Sequence, residues 1–135
     1  MEDLLTLQYG NPAILPVLQV LYPHLDYKNS KFHIDHIYPK AKFTIKNKDL
    51  SPDFIEEKNY LFNLQLLEGA ENIGKKDADP NVWIIEHFGN DINKIADYKS
   101  KNYIDACCTM QWNDFKTFKE KRTEALRTAL MLAFK

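Results

Sequence analysis

Two histidines and an aspartate, His33, Asp35 and His36, fall within four residues of the stretch FHIDHIYPKAKF, Phe32 to Phe43, just ahead of Pro39. The whole chain has only four histidines. A strand whose sole task is burial has no use for these types. Imidazole moves protons near neutral pH, because its unperturbed pKa is about 6.5. A carboxylate holds hard cations such as Mg²⁺ and Mn²⁺. A zinc-binding pair at His33 and His36 also fits the spacing, but no partner cysteines stand nearby and Pro39 argues against a long helix. On a strand, positions two apart share a face, so His33 and Asp35 point one way and His36 the other. A chain turning toward Pro39 ends the strand in time to change that.

The elements that must position these residues can be read on either side. KFHIDHIYP alternates well enough for a short strand entering a turn at Pro39. NLQLL, Asn63 to Leu67, has the same β-compatible alternation. EGAENIGKK then reads as a helix, with Glu68 and Glu71 early and Lys75 and Lys76 late, as the helix dipole prefers. Two short strands and a helix form one concave site if the end of the first strand meets the start of the helix. Asp35 and His36 sit at that strand end, Asn63 opens the second strand, and Asn72 lies on the helix nine residues later.

Around this insert the chain reads as helical. The first 22 residues form two short helices broken at YGNP, where Asn11 caps and Pro12 takes the first helical position. Pro16 is best tolerated in the first turn of the apolar segment AILPVLQVLYP. PHLDYKNS is a loop and AKFTIKNKDLSPD a polar connection. Ser51 or Asp53 caps a short helix through FIEEKNY. Asp79-Pro80, cap followed by proline, starts a helix through NVWIIEHF, in which Trp83 packs the core. NDINKIADYKS and NYIDACCTM read as shorter helical pieces. In the last segment, Phe115, Phe118, Arg122, Leu126, Ala129, Leu130 and Ala133 recur at helical spacing, a stripe for core packing or a partner. The fold class is α+β, mostly helical, and the 135 residues make one domain, with the strand–strand–helix core at about 31–77 and helical flanks at 1–30 and 78–135.

Bulk properties exclude several functions. No apolar run approaches the roughly 20 residues of a membrane span. The start, MEDLLTLQYG, has an acidic opening and no small-residue cleavage site, so no signal peptide is expected and the cytoplasm is the default location. Adjacent Cys107 and Cys108 offer no CxxC spacing and read as buried small hydrophobes. His24 and His87 have no chemical company and read as structural. A net charge of −1 argues against a free-standing, high-affinity nucleic-acid binder. The charge is uneven, however: Lys28, Lys31, Lys40, Lys42, Lys46 and Lys48 face a single acid, Asp35, in their window. That window is either a solvated loop or a phosphate footprint.

Taken together, HIDHIYP and NLQLLEGAENIGKKDADP resemble the HNH nucleases, whose core is the ββα-metal fold. The resemblance lies in the Asp-His pair, the Ile-x-Pro that follows, and an Asn-x8-Asn-x-x-Lys pattern. With the flanks DLLTLQYGN, VLYPHLDYKNSKFHIDHIYPKAKF and FKTFKEKR included, nearly the whole chain is similar to the C-terminal nuclease region of GmrSD-type modification-dependent restriction proteins. The resemblance implies a divalent-metal-dependent endonuclease that hydrolyses DNA phosphodiester bonds, in restriction or phage defence. It implies that Asp35 and Asn72 bind one divalent cation, Mg or Mn in preference to Zn or Ni. His36 would be the general base, and Asn63 would hydrogen-bond and orient its imidazole. Lys75 would stand near the scissile phosphate, with Lys40 or Lys42 gripping the flanking backbone. His33 has no fixed duty but is a possible accessory ligand. The expected partners are DNA and an N-terminal ParB-like nucleotide-binding domain or subunit absent from this chain. The alternatives are a non-catalytic nucleic-acid or protein-binding module that keeps the fold, and an RNA-directed nuclease.

Overall fold

A computed structural model describes residues 1–134. Its only sheet among these residues is an antiparallel pair, β1 (Phe32–His36) and β2 (Leu64–Glu68), in register from Phe32↔Glu68 to His36↔Leu64. Both strands lie where the alternation predicts them. Cross-strand partners share a face, so Ile34 opposes Leu66 and Asp35 opposes Gln65. Leu64 to Leu67 are all buried, because β2 is covered on both faces. It runs straight into α3 (Gly69–Lys75), which packs back on both strands. The fold is α+β and mostly helical.

Among the described residues, five further α-helices flank this unit: α1 (Glu2–Leu5), α2 (Ile14–Leu21), α4 (Pro80–Phe88), α5 (Ile92–Lys101) and α6 (Phe115–Ala133). The break between α1 and α2 falls at YGNP as expected. There Gly10 adopts φ +98, which a side chain would resist. Asn11 Oδ1 accepts the Ala13 N–H at 2.8 Å, so Asn11 builds the turn and Ala13 occupies the cap position. Pro16 lies in the first turn of α2, where its missing N–H costs nothing. The segment 52–57 is a 3₁₀ helix, with Ser51 Oγ accepting from the Asp53 N–H. Ser51, not Asp53, is therefore the cap.

The helix α6 carries the core. Phe115, Phe118, Leu126 and Leu130 are buried on one stripe, together with Arg122. Tyr38, fully buried after β1, packs its ring against Trp112, Phe115 and Phe118 at centroid distances of 4.9, 5.0 and 4.9 Å. This aromatic cluster anchors the turn that follows the HIDH stretch. Trp83 is buried, as its position predicts.

Three local expectations need correction. Ala133 is exposed, because α6 runs past the core after Leu130. Asp79 precedes Pro80 at the start of α4 but makes no capping bond, since its Oδ1 accepts from Lys42 Nζ and Trp112 Nε1, both at 2.8 Å. NYIDACCTM is not helical. Tyr103 and Met110 take left-handed φ of 60 and 64, and Lys99 Nζ donates to the carbonyls of Ala106 and Cys108. Cys107 donates its N–H to Asp105 Oδ1, and this turn leaves Cys108 buried but Cys107 exposed. Among the described residues, no helix is long and apolar enough to cross a membrane.

Candidate active site

A cleft of about 240 Å³ opens beside β1 and is lined by Asp35, His36 and Asn72. Tyr9, Ile34, Pro39, Lys40, Lys76 and Asp77 complete its walls. No residue of β2 takes part, so the cleft follows the unpaired edge of β1. That edge resolves the facing problem posed by the alternation. The strand runs through His36, so Asp35 and His36 do point to opposite faces, and an opening along the edge admits both.

Asp35 is held by one oxygen. Its Oδ2 accepts from Gln65 Nε2 at 2.9 Å and lies 3.2 Å from Lys75 Nζ. Its Oδ1 has no hydrogen-bond partner among the described residues. The side chain is thus fixed in orientation while retaining lone pairs to offer.

His36 is 9% exposed. With the carboxamide oxygen of Asn59 facing it at 2.8 Å, Nε2 carries the proton and donates, and Nδ1 keeps its lone pair. Burial pulls the pKa of His36 below its usual value, with Lys40 and Lys75 acting in the same direction. The Asn59 bond and the Asp35 charge oppose this without reversing it. A neutral, oriented imidazole with a free nitrogen is the form a general base requires.

Asn63 does a different task from the one the resemblance implies. Its Oδ1 accepts the Tyr38 N–H at 2.8 Å, and its Nδ2 donates to the carbonyls of Tyr38 (3.0 Å) and Lys58 (2.9 Å). It is fully buried and clamps the turn after β1, while Asn59 takes the imidazole. Lys75 is also relocated. It is 1% exposed, and its Nζ donates to the carbonyls of His36 (2.8 Å) and Ile37 (3.2 Å). Its ammonium cannot reach a phosphate. Its neighbour Lys76, exposed on the cleft wall and free of any ion pair among the described residues, can.

Of the other lysines, Lys40 lines the cleft, whereas Lys42 is tied to Asp79 outside it. His33 is exposed and rests its Nε2 near Gly69 at the start of α3, away from the cleft walls. His87 sits 2.9 Å from Glu71 and stacks on Trp83, a structural setting.

Behind Asp35 lies a buried polar chain. Gln65 Oε1 accepts from the Tyr98 hydroxyl at 2.6 Å, and the Tyr98 carbonyl accepts from Asn102 Nδ2 at 2.9 Å. Asn102 Oδ1 accepts from the Tyr22 hydroxyl at 2.6 Å, which in turn accepts from Arg122. Burial pushes the pKa of Tyr22 up to about 12 and that of Tyr98 up as well, so both hydroxyls remain donors. Arg122, 1% exposed, also donates to the carbonyls of Phe62 (2.6 Å), Leu64 (2.7 Å) and Asn102 (3.0 Å). The chain fixes β2, and through Gln65 it fixes the carboxylate.

A second cavity, of about 260 Å³, lies between the loop after α2, β2 and α5; His24 and Glu71 line it, but none of the proposed catalytic, metal or phosphate residues does. The sequence matches no protein-family model and no curated protein.

Proposed function

We propose that this chain is a divalent-metal-dependent endonuclease domain of the HNH, ββα-metal type, acting on DNA phosphodiester bonds. The observation that carries the reading is the meeting of Asp35, His36 and Asn72 in one cleft, with His36 neutral and held by Asn59. The donors present fit a hard cation. A carboxylate with one free oxygen and a carboxamide suit Mg²⁺ or Mn²⁺, which keep several waters and take further oxygens from a phosphate. His33 is not among the residues that line the cleft, so a softer Zn²⁺ or Ni²⁺ site has less support. When bound, the cation would supply charge stabilisation to the phosphate and the leaving oxygen.

The chain's own residues do the rest. His36 Nδ1 takes a proton from the attacking water, and Asn59 holds the ring so that the free nitrogen stays fixed. Asp35 is aimed by Gln65 and Lys75, and Asn72 lines the same cleft from α3. Lys40 and Lys76 attract the strand's phosphates from the cleft wall. A restriction or defence setting, with a ParB-like domain or subunit as partner, rests on the sequence resemblance alone.

The test is plasmid nicking and cleavage with Mg²⁺, Mn²⁺, Ni²⁺ or EDTA. Metal-dependent cleavage that falls about 10²- to 10⁴-fold in His36→Ala is the expected result. A folded chain that is silent with every metal on DNA would favour the non-catalytic binding module, and cleavage of RNA alone would change the substrate.

A further inference from the structure

Tyr9 has no part in holding metal or moving a proton, yet it forms one wall of the cleft. Its ring centroid lies 5.0 Å from that of His36, and the residue is 46% exposed. The phenol oxygen has no hydrogen-bond partner among the described residues. The placement is not loose. The Tyr9 N–H donates to the Asn59 carbonyl at 2.8 Å, and the adjacent Gln8 pairs with Tyr60 as an isolated β-bridge. Gly10 turns the chain immediately afterwards. Asn59 therefore holds the backbone of Tyr9 with its carbonyl and the ring of His36 with its side chain. Lys40 Nζ lies over the Tyr9 ring, 6.0 Å from its centroid, so a base that stacks there takes the place of this ammonium.

The ring is anchored through its backbone, left about half open, and has a lysine ammonium over it. Single-stranded nucleic acid is recognised by this combination, an aromatic platform next to a positively charged groove. We propose that Tyr9 is a nucleobase-stacking platform and that the cleft takes a polynucleotide strand whose base at the cut position is unpaired. In a duplex each base has both faces covered by its neighbours, so only a base that has left the stack can lie on Tyr9. Stacked there, it would rest beside the imidazole and present its own phosphate to the cleft. The inference rests on the nuclease reading for its choice of ligand.

The test uses the full chain in EDTA, so that binding is read without cleavage. The probes are a single-stranded oligothymidylate with one central 2-aminopurine, and the duplex of the same strand. Binding of the single strand should quench the fluorophore by stacking. Tyr9→Ala should abolish the quenching and weaken single-strand binding by about 5- to 150-fold, with little change for the duplex. Tyr9→Phe and Tyr9→Trp should retain quenching, which separates stacking from loss of the phenol or of the fold. The proposal is overturned if the single strand is not bound, if it binds without quenching, or if Tyr9→Ala binds it as tightly as the parent. Metal-dependent plasmid cleavage without quenching would remove the platform and leave the nuclease. Tyr9-dependent quenching with no cleavage in any metal would do the reverse.

Discussion

The two sides of the β1–β2 ribbon handle polar groups in opposite ways. On the Asp35 side, Gln65, Tyr98, Asn102, Tyr22 and Arg122 are buried, and each donates to or accepts from the next. On the His36 side, the polar groups are only partly engaged. Asn59 bonds one nitrogen of His36, Asp35 offers one free oxygen at the edge, and Lys40 and Lys76 reach solvent. A fully satisfied buried network rigidifies a fold, whereas groups left half-satisfied beside an opening are available to a ligand. The adjacent lysines show the contrast within two residues. Lys75 ends α3 pointing inward onto two carbonyls and Asp35, and Lys76 leaves the helix and faces the cleft.

The largest effect should come from the closed side. Arg122→Met keeps much of the volume but leaves the Phe62 and Leu64 carbonyls without their donor inside the core. A loss of about 3–5 kcal/mol is expected in urea denaturation, because breaking a buried charged network strands its partners. That is a large share of the roughly 5–15 kcal/mol typical of a domain. A change below about 1 kcal/mol would mean that the buried chain is not what holds β2.

On the open side, Asn59→Asp should be a smaller change in stability but an inversion in titration. As the chain stands, His36 has its pKa depressed by burial. The unfolded ring titrates near 6.5, so between the folded and unfolded values the unfolded state binds more protons. The contribution to stability is therefore present above about pH 6.5 and lost as pH falls through the folded pKa. A carboxylate at position 59 of nearly the same shape favours the imidazolium and raises the folded pKa. Once that pKa exceeds the unfolded value the sign reverses: the contribution is present below the unfolded pKa and lost as pH rises through the folded one. NMR titration of the His36 ring in EDTA reads both variants directly. Cleavage at pH 7 should also fall in Asn59→Asp and recover at higher pH. If His36 in the parent titrates at or above 6.5, burial is not governing the ring.

Much of this arrangement was legible in the sequence because it is local. Alternation placed β1 and β2, the Asp79-Pro80 pair placed the start of α4, and the helical stripe from Phe115 to Leu130 placed α6. Asp35, His36 and Asn72 were singled out, and they do share the cleft. What could not be read is what depends on distant partners. Asn59 is one polar residue in KNYLFN, and nothing nearby separates it from Asn63. Its meeting with His36 spans 23 positions of the chain. The buried chain joins residues from five segments, with Tyr22 and Arg122 separated by 100 positions. The exchange of roles between Lys75 and Lys76 turns on where a short helix stops, since one residue rotates a side chain by about 100°. The helix NYIDACCTM fails for a similar reason: Lys99 captures its carbonyls from the preceding helix.

The finest test of the comparison is at Lys76, where the two sides meet. Its φ of 47 with ψ of −130 is unfavourable for any side chain and open to glycine. Lys76→Gly should therefore stabilise the fold by about 1 kcal/mol, measured by urea denaturation. The same variant removes a cation from the cleft wall and should lower the salt slope of nucleic-acid binding by about one. The signs are opposite because strain here holds a charge where the fold has no use for it. A fall in stability would show that the lysine side chain packs in some way that the strain serves, and an unchanged salt slope would remove Lys76 from the phosphate contacts while leaving Lys40 to supply them.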